Sequence, residues 1–170
     1  MLQSLAGGTG SGLGTHLVER LREDYAKANL INVAVWPYMT GEVVLQNYNV
    51  LLTMSGLLTD SNALITVFND EVLTTCRELL KAPRPSYALM NKVIAQQMTS
   101  ILYPVSNTQK SRVGLWQASG SGANQIHQIV DQLCSRPQFK LLQMKQIPFS
   151  NEKATQFNAD LWTGMTQRMR

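Results

Sequence analysis

Apolar positions in this 170-residue chain repeat with two different periods. Leu13, Leu17, Leu21 and Tyr25 stand four apart, with Glu19, Arg20, Arg22 and Glu23 on other faces. That spacing predicts an amphipathic helix running to about Lys27. Leu30 to Trp36, with Ile31, Val33 and Val35, reads as a short buried strand stopped by Pro37. Residues 37–42 form a loop, and Val43 to Met54 read as a helix with Ser55-Gly56 as its terminator. Ala63 to Phe68 is a second apolar strand, followed by a helix from about Asp70 to Leu80. The Ala82-Pro83-Arg84-Pro85 break ends it, and Ser86 can cap a further helix reaching Leu102.

Beyond residue 106 the pattern weakens. Residues 106–124 are rich in Ser, Gly, Gln and Asn and read as a connection. A short helix from Ile126 to Leu133 follows, then a strand from Phe139 to Ile147 with mixed faces. Leu161, Trp162, Met165 and Met169 give the tail from 155 to 170 helical spacing. Strands alternating with helices predict an α/β fold with a parallel sheet, whose ligands sit at the carboxyl ends of the strands.

Composition narrows the function classes. Hydrophobic residues make up 44% and charged residues 15%, enough for a core and too apolar for disorder. No apolar run has membrane-spanning length, and the start lacks the basic-then-apolar layout of a secretory signal. Cys76 and Cys134 have no metal-ligand spacing and read as buried free thiols. His16 and His127 stand alone, so no metal site is expected. The net charge of +4 is uneven, because residues 1–106 carry seven basic and eight acidic side chains and residues 107–170 carry eight and three. That shift marks a boundary. The basic residues of the second part are scattered without aromatic neighbours, which argues against nucleic acid as a partner.

The chemistry concentrates in Ala6-Gly7-Gly8-Thr9-Gly10-Ser11-Gly12, just before the first helix. Glycines there free backbone N–H groups to close on phosphate oxygens, and Thr9 and Ser11 add hydroxyl donors. No Lys follows the last glycine, so this is not the P-loop, and the dinucleotide fingerprint is absent as well. Taken alone, phosphate binding and a structural turn are equally good readings. A loop of this kind is fed by a buried strand, and only five residues precede Ala6. The expectation is a part of a longer protein.

Four stretches in order resemble the tubulin superfamily. They are the glycine run, Trp36-Pro37-Tyr38 with Gly41 to Asn49, Asn69-Asp70-Glu71, and Pro85-Ser86-Tyr87 with Asn91. The Trp-Pro-Tyr and Gln46-Asn47-Tyr48-Asn49 runs are most similar to the delta branch, with gamma as runner-up. The segment from Pro137 to Pro148 resembles a strand of the family's intermediate domain. The resemblance implies the later part of a Rossmann-type GTP-binding domain over 1–105 and the start of an α+β intermediate domain over 106–170. It implies GTP or GDP as ligand, with Mg accompanying the nucleotide through ligands outside these residues.

It also assigns roles. Gly7, Gly8, Thr9, Gly10, Ser11 and Gly12 hold the β- and γ-phosphates, and Glu42 sits by the ribose, with Gln46 a weaker candidate. Asn69 and Asn91 meet the guanine edge, and Tyr87 stacks on the base. Without the resemblance, Asn69 reads as a helix N-cap, Tyr87 as a core aromatic and Asn91 as a solvated residue. An acidic residue that completes the GTPase site in alpha and beta polymers falls at Gln125, so weak hydrolysis at most is expected. The implied setting is cytoskeletal, at centrioles or basal bodies, with tubulin subunits or microtubule components as partners and no membrane. The alternatives are a gamma-like nucleation role and a tubulin-fold interaction module that does not hydrolyse GTP.

Overall fold

The computed structural model describes residues 1–41, 44–102 and 122–146, with the side chains of 122–125 not described. Its centre is a sheet in the order β1-β2-β3-β4, comprising β1 (Leu2–Ser4), β2 (Ile31–Trp36), β3 (Ala63–Phe68) and β4 (Leu141–Gln143). Every pairing is parallel, with Leu2 opposite Val33, Val33 opposite Ile65, and Ile65 opposite Leu142. The β-branched, nearly uncharged composition of β2 and β3 suits a sheet covered on both faces. The α/β expectation is met.

Alternation along β2 and β3 divides the core. Ala34 and Leu64 face one way and pack with Leu5, Val18, Leu30, Val50 and Leu57. That layer comes from helices α1 (Gly14–Asp24) and α2 (Gln46–Asp60). Val33, Ile65 and Val67 face the other way onto Val72, Cys76, Met90 and Val93, from α3 (Asn69–Glu78) and α4 (Tyr87–Leu102). A fifth helix, α5 (Gly122–Leu133), precedes β4.

Several boundaries differ from the sequence reading. Ser55-Gly56 does not stop α2, which continues to Asp60. Gly56 instead lets α1 and α2 approach closely, since a Cβ there would run into the Thr15 side chain. The leucine stripe of α1 is not its buried face: Leu13, Leu17 and Leu21 are exposed, while Gly14 and Val18 are buried. Small residues face the sheet because a Cβ at Gly14 would stand 2.6 Å from the side-chain oxygen of Gln3. The helix before β4 starts four residues earlier than Ile126, so Gln125 lies within it rather than in a preceding loop. Strand β4 is shorter than the expected 139–147. Cys134 is half-buried rather than buried, and both thiols are free.

Ser86 caps α4 as its sequence suggests, its hydroxyl accepting the Leu89 N–H at 3.3 Å. The expected connection up to residue 121, the strand end at Ile147 and the helical tail at 155–170 lie outside the described residues. Among the described residues no helix is long and apolar enough to cross a membrane, and no group of three His, Cys, Asp or Glu side chains could hold a metal.

Candidate nucleotide-binding site

The glycine run joins β1 to α1 through a helical turn that opens at Gly8 and widens into a π-type turn over Thr9–Leu13. Two kinds of glycine occur in it. A Cβ at Gly10 would collide with the backbone of Ser4 at the end of β1, so close packing forbids a side chain there. At Gly7, Gly8 and Gly12 a Cβ would meet no atom within 4 Å, so their bare faces border open space. That is the shape of a cradle that side chains would otherwise fill, and the amides of a helix's first turn have no partner within the helix.

Ser11 is buried, and its hydroxyl donates to the Gly7 carbonyl at 2.6 Å and the Gly8 carbonyl at 3.3 Å. Thr9 is exposed. Asn49 of α2 reaches across to donate from its amide to the Ala6 carbonyl at 2.8 Å.

Beside this loop lies a pocket of about 150 Å³, lined by Ser4, Ala6, Pro37, Tyr38, Gln46, Asn69 and Tyr87. Ser4, Pro37 and Asn69 stand at or just past the carboxyl ends of β1, β2 and β3, the edge where open α/β sheets bind ligands. Five separate segments of the chain thus meet at one cavity. Asn69 and Tyr87 are brought together there, with Gln46 beside them. Asn91 lies one turn along α4 from Tyr87 and is exposed, outside the lining. Glu42 lies outside the described residues. Asn69 is the first helical residue of α3 and makes no capping bond, because Phe68 occupies the cap position. Tyr87 is 69% exposed, so it is not a core aromatic.

The pocket walls are tied to one another. The Gln46 amide donates to the Tyr38 carbonyl at 3.2 Å, and the Tyr38 hydroxyl donates to the Met90 sulfur at 3.4 Å. The Met39 N–H donates to Asp70 Oδ2 at 3.0 Å. Gly41 has a positive φ of 59°, with a Gln46 amide nitrogen 2.7 Å from where its Cβ would lie. Glu71 accepts hydrogen bonds from Gln143 at 2.7 Å and Lys145 at 2.9 Å, joining the start of α3 to β4. Of the lining residues, Ser4 had no sequence signal, while Pro37 and Tyr38 stood in the Trp36-Pro37-Tyr38 run without an assigned role.

A parallel α/β domain with a glycine turn after its first strand and a small pocket of mixed polarity at the strand ends is the architecture of a nucleotide-binding domain. Residues 1–77 match the Tubulin/FtsZ family, GTPase domain. All 170 residues align with the human tubulin delta chain at 32% identity, covering 36% of that protein. The tubulin gamma chain of Eremothecium gossypii is 39% identical over 101 residues, which is 59% of this chain and 22% of the relative. The tubulin alpha-A chain of Neurospora crassa is 39% identical over 102 residues, with the same two coverages. The chain belongs to the tubulin superfamily, and it spans about a third of the length of the delta chains that it matches end to end.

Proposed function

We propose that this chain binds a guanine nucleotide as part of a delta-tubulin-like cytoskeletal protein. The observation that carries the reading is the meeting of Ala6, Gln46, Asn69 and Tyr87 at one cavity. At about 150 Å³ that cavity is smaller than the roughly 300–1,000 Å³ of a whole-ligand site, so a nucleotide would extend from it along the glycine turn. In this reading Gly7, Gly8, Thr9, Gly10, Ser11 and Gly12 form the phosphate end, whose backbone amides supply the donors. Asn69 and Asn91 pair with the guanine edge, Tyr87 stacks on the base, and Glu42 with Gln46 serves the ribose. Mg would travel with the phosphates. Residues 1–105 belong to the nucleotide-binding domain, and 106–170 begin the intermediate domain, whose first strand docks on the sheet edge at β3.

Within that function, other tubulin subunits or microtubule components are the partners, and centrioles, basal bodies and cilia are the place of action. Weak hydrolysis belongs to this reading, because Gln125, which falls near the start of α5 and not in the loop before it, has neither charge nor basicity where alpha and beta polymers are expected to supply an acid. A protein that holds GTP without turnover is the second reading, favoured by that same residue. Titration of the full-length protein with a fluorescent GDP tests the site. Tyr87→Ala and Asn69→Ala should each weaken binding about tenfold through lost stacking or base pairing. Unchanged affinity in both variants rules the assignment out. GTP turnover that climbs with protein concentration would exclude the second reading.

A further inference from the structure

We propose that Asn49 is a positioning residue for the phosphate end of the site, setting the direction of the Gly7 N–H from the first turn of α2. The inference rests on the nucleotide reading of the pocket. The Asn49 amide holds the Ala6 carbonyl at 2.8 Å. A trans peptide points its C=O and N–H in opposite directions, so a carbonyl drawn toward α2 turns the Gly7 N–H away from it. Ser11 treats the next two peptides alike: its hydroxyl holds the Gly7 and Gly8 carbonyls, which directs the Gly8 and Thr9 amides the other way. Three successive peptide planes are therefore oriented by two side chains, neither of which needs to touch the ligand. Run together, such amides form an anion-binding concavity.

Asn49 adds what Ser11 cannot. Ser11 belongs to the glycine turn and moves with it, whereas Asn49 sits on a separate helix anchored in the core through Val50 and Leu57. Three residues before it on the same face of α2, Gln46 holds the Tyr38 carbonyl across the pocket. One helical turn thus sets the distance between the glycine turn and the Tyr38 wall. Asn49 is half-buried, and Ala6 itself lines the pocket, so a loosened Ala6 carbonyl displaces the cradle and not a remote surface.

The test compares GDP with GMP, which lacks the β-phosphate, by displacement of a fluorescent guanine nucleotide from the full-length protein. Asn49→Ala and Asn49→Asp both remove the donor, and the second preserves the shape. GDP affinity should fall about five- to tenfold in each, the loss of one well-aligned hydrogen bond, while GMP affinity stays within about twofold. Asn49→Gln, which retains an amide, should recover part of the loss. Tyr87→Ala should weaken both ligands equally. Unchanged GDP affinity in the Asn49 variants overturns the proposal. So does a parallel fall for GMP, which would mean general loosening of the pocket. A wild-type protein that binds neither ligand refutes the pocket reading, and this inference falls with it.

Discussion

Gly10 and Gly12 look interchangeable in the sequence, and alanine substitution should separate them. At both sites the backbone accepts an L-residue, since Gly41 is the one described glycine with positive φ. Replacing a helical glycine by alanine should stabilise by about 0.5–1 kcal/mol, because less backbone freedom is lost on folding. At Gly12 nothing opposes that gain, for the new methyl meets no atom within 4 Å. At Gly10 the methyl runs into the Ser4 carbonyl, with the Ser4 nitrogen 3.0 Å and carbonyl carbon 3.2 Å away. These are backbone atoms of a strand paired to β2, which cannot swing aside as a side chain would. Overpacking of this kind costs about 1–3 kcal/mol. Gly10→Ala should therefore be about 1–3 kcal/mol less stable than Gly12→Ala, with the wild type between them or close to the latter. Urea unfolding followed by far-ultraviolet circular dichroism reads this as a change in midpoint at constant slope. A Gly10→Ala protein as stable as Gly12→Ala would refute the close approach of the glycine turn to β1.

Three further predictions concern sites away from the pocket. Burial pushes the Cys76 and Cys134 thiols up, the latter partly offset by Lys140, and Cys76 is the more enclosed. Iodoacetamide at pH 8 should modify Cys134 first and Cys76 only as the protein opens; equal rates would contradict the packing. Because the folded thiols keep their protons to higher pH than the unfolded chain, this contribution to stability is present below about pH 8.5 and fades above it. Lys81 adopts φ 56°, the left-handed conformation that lets the Ala82 N–H return to the Cys76 carbonyl after α3. Lys81→Gly should raise stability by about 0.5–1 kcal/mol in thermal unfolding, and a loss would show the strain is absent.

The sheet was legible because its strands announce themselves. Leu30 to Trp36 and Ala63 to Phe68 are apolar runs of strand length bounded by breakers, and both became neighbours in a parallel pair. Periodicity was a poorer guide to which helix face is buried. In α1 the bulky leucines look like the core stripe, yet the sheet needs a close approach and takes Gly14 and Val18. Gly56 misled for the same reason: a glycine that serves helix contact cannot be told from one that ends a helix when only one chain segment is in view. Of the pocket residues, Asn69 and Tyr87 were reached through motif order. Asn49 and Asp70 stand in the same runs outside the pocket lining and received no role there, because each matters through the backbone group it meets across the fold.

The junction between β3 and α3 contains no linking residue at all: Phe68 ends the strand and Asn69 begins the helix. Three adjacent side chains then serve three separate places, Asn69 the cavity, Asp70 the Met39 amide and Glu71 the pair Gln143 and Lys145. Each successive residue of a helix is turned by about 100°, so this division of labour depends on where the helix starts. A substitution at any of the three would disable one contact and spare the others. An inserted or deleted residue at the same point would rotate the set and lose all of them together. What this corner of the protein cannot tolerate is slack, and the chain length between residues 68 and 69 is the quantity it holds constant.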